Sequence, residues 1–222
     1  MTRVFLVRHG STLLSAEDRF AGVTDVELSD EGRAQAERLA KRLSGLRIAA
    51  IYCSPMKRTV ETADILARPH NLTPISKDGL REIDHGRWEG LRRKDVKTRF
   101  PEEFAAWEAD PFTFAPQGGE TGITVLARAR PVLHDLVTAH EGQLLLVVSH
   151  KATIRLLISN LLGFDPRGFR DRLNQSPACL NVLDFTDPLR ARLTLFNDVS
   201  HYAGYPTLDP AYLSKEWENP SS

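Results

Sequence analysis

This chain has almost no cysteine. Its two, Cys53 and Cys179, both sit inside apolar runs. That excludes a disulfide framework and leaves buried free thiols as the expectation. Long hydrophobic runs are missing too. No stretch approaches the roughly 18 apolar residues that a membrane span needs. No secretory signal is read at the start, because Thr2-Arg3 leads at once into a short apolar strand. An excess of either charge is also absent: Lys+Arg and Asp+Glu both number 29. A nucleic-acid binder is more often basic overall. An anionic ligand can still bind where basic side chains gather locally. Several motifs are lacking as well. No P-loop or GxGxxG follows a strand, no HExxH or paired Cys/His spacing offers a metal site, and no serine sits in a GxSxG elbow. The expectation is a soluble, cytoplasmic protein with no metal, no cofactor, no nucleic-acid partner and no membrane partner.

What is present is a hydrophobic content of 41% in 222 residues, enough for one sizeable core. Val4 to Val7 reads as a buried strand, and it ends in Arg8-His9-Gly10. Such an ending holds two ionisable side chains at the rim of a sheet, where open α/β sheets bind ligands. A polar stretch from Ser11 to Val26 reads as a loop beside that strand. Ser29 then reads as an N-cap, with Asp30 and Glu31 in the first helical turn and Gly45 as the stop.

Ile48 to Cys53 is a second buried strand, followed by a helix from about Met56 to Ala67. Arg58 falls in the first turn of that helix, beside free backbone N–H groups and well placed to hold an anion. Leu72 to Ser76 reads as a short edge strand interrupted by Pro74. The next stretch, Leu80 to Gly90, is dense in ionisable groups. Leu80, Ile83 and Trp88 would anchor it as an ordered loop. Residues from about 91 to 117 are charged and aromatic and are divided by prolines, so they read as an inserted lid of two small helices. The aromatics are expected to form the lid's own small core. A helix with a stripe from Val125 to Val137 follows; His134 and His140 belong to its surface. Leu144 to Val148 is the third strongly apolar strand, and it ends in Ser149-His150-Lys151 before another helix, closed by Gly163. Two buried strands thus each deliver a histidine to the same kind of rim. Cys179 to Phe185 and Arg192 to Phe196 read as an antiparallel pair. The tail from about Tyr202 is expected to cover the surface or fray.

Arg8, His9, Arg58, Glu82 and His150 together have the parts for phosphoryl transfer. Two arginines suit a dianionic phosphate with forked donors. A neutral histidine is a nucleophile toward phosphorus, and neighbouring cations keep it neutral. A second histidine donates to oxygens that gain charge in the transition state. A carboxyl group protonates the departing alcohol and then takes a proton from water. Residue types alone leave Glu82, Asp84 and Glu89 open for that last role.

Arg8-His9-Gly10 after an N-terminal strand resembles the signature of the histidine phosphatase superfamily, the phosphoglycerate mutase-like proteins. So do Ser54-Pro55 with Arg58-Thr59, Leu80-Arg81-Glu82 with Trp88-Glu89-Gly90, Gly118-Gly119-Glu120, and Ser149-His150 with Arg155. The resemblance implies a three-layer α/β/α sandwich on a largely parallel sheet, one domain over 1–222. It implies His9 as the phosphorylated nucleophile, Arg8, Arg58 and His150 as the phosphate pocket, and Glu82 as the proton donor. Three positions depart from the family pattern. Ser15 stands where an asparagine commonly touches the phosphate, Ala21 where glutamine is frequent, and Lys151 where a glycine usually follows the second histidine. Ser15 remains a candidate phosphate contact. Lys151 is a candidate for contact with the substrate beyond its phosphate. The expected function is a phosphomonoesterase of the phosphatase branch, acting on a small phosphorylated metabolite. A cofactor-dependent phosphoglycerate mutase and a non-catalytic phosphoryl-ligand binding module are the alternatives.

Overall fold

The computed structural model describes residues 1–16 and 19–203, and the side chains of Ser15 and Ala16 fall outside the description. The part of the tail beyond residue 203 also lies outside the described residues. Six strands form one sheet. In chain order they are β1 (Thr2–Arg8), β2 (Ala50–Cys53), β3 (Ile75–Ser76), β4 (Leu144–Ser149), β5 (Leu180–Asp187) and β6 (Arg190–Asp198). Across the sheet the order is β3-β2-β4-β1-β5-β6. The first four strands run parallel, and β5 and β6 form an antiparallel hairpin whose first strand pairs antiparallel with β1.

Side chains along a strand point alternately to opposite faces, so each central strand feeds two cores. Phe5, Val7, Ile51, Leu146 and Val148 pack under α2 (Asp30–Leu43) and α3 (Lys57–Ala67). Val4, Leu6, Leu145 and Val147 pack on the other face, under α6 (Gly122–Ala139) and α7 (Lys151–Leu161). Leu6, Leu145 and Leu146 have no exposed surface, and each such burial contributes about 1.5–3 kcal/mol. Two apolar faces on a mostly parallel sheet are what the continuous, non-alternating strand sequences require. The result is the expected α/β/α layering.

Several boundaries move from the sequence reading. The second strand starts at Ala50, two residues later than Ile48, although Ile48 stays buried in the core. The edge strand shrinks to Ile75–Ser76 because Pro74 has no N–H to give a neighbour. Helix α2 ends at Leu43 with Ser44 as its C-cap and Gly45 directly after, and Gly163 follows the C-cap of α7 in the same way, with a φ of 71°. Ser29 caps α2 as expected, its hydroxyl accepting from Gly32 N at 3.1 Å. The span 91–117 holds two short helices, α4 (Arg93–Arg99) and α5 (Pro101–Ala109). Trp88, Val96, Phe104 and Trp107 pack with Phe20 into a separate small core. Among the described residues, no helix is long and apolar enough to cross a membrane.

Candidate active site

The parallel register sets Arg8 beside Ser149, so the residues after them, His9 and His150, emerge side by side. His9 N donates to Ser149 O at 3.1 Å, and the two imidazole rings lie 5.2 Å apart, edge to face. This is the carboxyl end of a parallel sheet, where the loops open into a cavity of about 200 Å³.

His9 is buried, and its Nδ1 lies 2.7 Å from Gly10 O. A carbonyl only accepts, so this contact assigns the ring proton to Nδ1 and leaves the lone pair on Nε2. Burial holds the imidazolium form well below the usual histidine range, and the charges of Arg58 and Arg8 push it further down. Gly10 is confined by α2: a Cβ there would run into the Gly32 carbonyl oxygen.

His150 is fully buried and lies behind the cavity wall rather than on it. Arg58 Nε donates to its Nδ1 at 3.2 Å. The proton therefore sits on Nε2, which donates to Ser54 Oγ at 2.8 Å. Burial comes first in holding this imidazole neutral too, followed by Arg58, His9 and Arg8.

Arg58 is the second residue of α3, as the spacing predicts, but it is far from solvated. Only 2% of its surface is exposed. One terminal nitrogen donates to Thr24 O at 2.8 Å and the other to Gly22 O at 2.7 Å. Arg8 donates to Gln175 O at 2.6 Å. Behind it, Gln175 and Asn181 exchange amide hydrogen bonds at 2.9 Å, and Asn181 also donates to Leu6 O. Sequence reading missed Gln175 and Asn181, because nothing local marks them as partners of a residue some 170 positions away.

The three acids left open by residue type separate cleanly. Glu82 lines the cavity. Its Oε2 accepts from Ala152 N at 3.1 Å, and its Oε1 from Thr153 N at 3.2 Å, both in the first turn of α7. Asp84 accepts from Gly86 N at 2.7 Å and shapes a turn. Glu89 faces the loop at residues 22–24 and is not part of the cavity wall. Lys151, the first residue of α7, lines the cavity, as does buried Arg155 one turn later. Ser15 belongs to α1 (Leu13–Ala16), and its side chain lies outside the described residues.

Aromatic side chains complete the lining, from the expected lid helix α5 and from a short helix near residue 170 that the sequence reading did not foresee. Phe20, Trp107 and Phe169 line the cavity, with Arg170 from α8 (Phe169–Arg172). The guanidinium groups of Arg93 and Arg170 lie 5.0 and 4.5 Å from the Trp107 ring centre. Trp107 thus belongs to the small aromatic core and to the cavity at once.

The chain that carries this cavity is similar to known proteins. Residues 4–199 match the model of the histidine phosphatase superfamily, branch 1. The chain belongs to the histidine phosphatase superfamily. Among curated relatives of this histidine phosphatase, phosphoserine phosphatase 1 of Hydrogenobacter thermophilus is 38% identical over 165 residues, covering 74% of this chain and 78% of that protein. The solved structure of Bacillus stearothermophilus YhfR superposes with a TM-score of 0.85 at 30% identity, covering 90% and 99% of the two chains. A mycobacterial glucosyl-3-phosphoglycerate phosphatase complexed with VO3 superposes with a TM-score of 0.79 at 30% identity, covering 88% and 98%.

Proposed function

We propose that this chain, a phosphoric monoester hydrolase, acts through a phosphohistidine on a small phosphorylated metabolite, without a metal ion. The observation that carries the reading is His9: a neutral ring whose Nδ1 is tied to Gly10 O, so that Nε2 keeps its lone pair beside Arg8 and Arg58. In the first step Nε2 attacks phosphorus, the ester P–O bond breaks, and Glu82 gives its proton to the departing alcohol oxygen. In the second step a water oxygen attacks the phosphohistidine, Glu82 takes the water proton, the N–P bond breaks and phosphate leaves. Arg8 and Arg58 hold the charge on the transferring group. The Nε2–H of His150, now on Ser54 Oγ, is a donor for which a phosphoryl oxygen would compete. The two arginines supply fixed charge, which supports transfer without a metal. In this reading Ser15 adds a phosphate contact, Lys151 meets the substrate beyond its phosphate, and residues 91–117 serve as the lid of one domain.

The test is rapid-quench mass spectrometry during turnover of an aryl phosphate, before and after prolonged chelation. An acid-labile phosphate on His9 and undiminished activity after chelation are expected. A phosphate on another residue, or activity restored only by an added divalent ion, would overturn the corresponding part. The carboxyl role is read separately. Glu82→Gln should slow alkyl phosphates by roughly 10²-fold. Aryl phosphates, whose leaving groups need little protonation, should lose less in single-turnover phosphorylation. Equal losses on both would assign the acid elsewhere.

A further inference from the structure

Glu89 accepts hydrogen bonds from five donor groups although it does not line the cavity. Its Oε1 takes Gly22 N at 2.9 Å, Val23 N at 3.2 Å and His85 N at 3.0 Å. Its Oε2 takes Thr24 N at 3.1 Å and Thr24 Oγ1 at 2.5 Å. Three consecutive amides therefore converge on one carboxylate. The approach is so close that a Cβ on Gly22 would meet both the Ile83 carbonyl oxygen and Glu89 Oε1.

The amides of residues 22–24 turn toward Glu89, while the carbonyls of Gly22 and Thr24 take the Arg58 guanidinium. That use of its terminal nitrogens leaves Nε directed at His150 Nδ1. His150 in turn reaches Ser54. A continuous chain of bonds thus runs from Glu89 through the 22–24 backbone to Arg58 and His150. A guanidinium carries its donors in one plane, so the carbonyls that hold its terminal nitrogens fix which N–H bonds face the cavity that Arg58 lines.

We propose that Glu89 is a positioning residue of the reaction: through the 22–24 backbone it aims Arg58, and with it His150, at the transferring phosphoryl group. This deepens the phosphohistidine reading and rests on it for the part Arg58 plays. A loop staple with no such role would lower stability and leave anion binding by the folded protein untouched. A positioning residue changes the site itself, where misplacement of about 1 Å costs up to 10²-fold.

The experiment compares full-length wild type, Glu89→Gln and Glu89→Ala. It measures orthovanadate affinity by titration calorimetry, kcat and KM on 4-nitrophenyl phosphate, and Tm. Orthovanadate should bind at least tenfold more weakly to folded Glu89→Ala, and kcat/KM should fall by roughly 10²-fold. Added formate, a carboxylate that fits the vacated amide cluster, should restore activity saturably. Glu89→Gln keeps one acceptor oxygen of matching shape and should fall between the two. If Glu89→Ala does not fold, the orthovanadate affinity of Glu89→Gln decides alone. Wild-type affinity in a folded variant, with activity lost only in proportion to unfolded protein, would overturn the proposal. A wild type that fails to turn over the aryl phosphate would sink the hydrolase reading instead, and the orthovanadate comparison would still judge Glu89.

Discussion

At the end of β1, His9 keeps one ring nitrogen for the cavity; at the end of β4, His150 has both of its nitrogens taken by protein. The two sites start alike: an apolar parallel strand, a polar residue, a histidine. They differ in what stands beside each ring. Gly10 O ties up only Nδ1 of His9, whereas Arg58 and Ser54 bracket His150. His9 thereby keeps a ring nitrogen open, whereas His150 would have to give up Ser54 Oγ to donate to a ligand. The β4 end also reaches the cavity by a second route, because the amides of Ala152 and Thr153 donate to the carboxyl group of Glu82 on the cavity wall.

The largest test of that asymmetry removes each ring in turn. His9→Ala should lower kcat by at least about 10⁴-fold, as expected for a lost nucleophile. His150→Gln should lower it by roughly 10²-fold and still yield phosphate on His9. Equal losses, with no phosphoenzyme in either variant, would erase the distinction. The second test uses pH. Both histidines are held well below the usual range by burial and by neighbouring arginines. The unfolded chain gains these protons near the ordinary histidine pKa of about 6.5, and the folded chain does not. Above that pH the two states carry the same protons and nothing is lost. As pH falls below it, folding stability should drop, by up to about 1.4 kcal/mol per pH unit for each ring. Urea titrations at pH 7.5 and 5.5 should show that loss, and a smaller one in His150→Gln. A loss no smaller in the variant would mean that His150 titrates normally. For the same reason kcat/KM should stay level through pH 6.5 rather than fall there.

The residue after each histidine gives the finest comparison. Gly10→Ala drives a methyl against the backbone oxygen of Gly32, which cannot give way as a flexible side chain would. Stability should fall by about 1–3 kcal/mol, with loss of activity as His9 is displaced. Lys151→Ala, on the cavity wall, should change turnover of a neutral aryl phosphate only a few-fold. On a carboxylate-bearing phosphate ester kcat/KM should fall about tenfold, or ~1.4 kcal/mol of transition-state binding. The same loss on both esters would remove the specificity role. A Gly10→Ala variant with unchanged Tm would show that α2 does not confine this turn.

The apolar runs, the N-cap at Ser29 and the glycine after α7 were legible in the chain because they depend on neighbours a few residues apart. The positions of Arg8, His9, Arg58, Glu82 and His150 were legible for a related reason: each lies at the end of a strand or just after it, early in a helix, or in a loop anchored by Leu80, Ile83 and Trp88. The sequence by itself therefore determined that two arginines, two histidines and an acid-bearing loop reach the rim of the sheet. It did not determine their roles. Glu82, Asp84 and Glu89 are chemically alike and lie within eight positions of one another. The amides from α7 reach Glu82 and those of residues 22–24 reach Glu89, and both come from far along the chain. Only the tertiary structure decided which acid lines the cavity, which histidine keeps a lone pair and what aims Arg58. Hydrogen bonds between remote segments exist only once the sheet has brought its strand ends together.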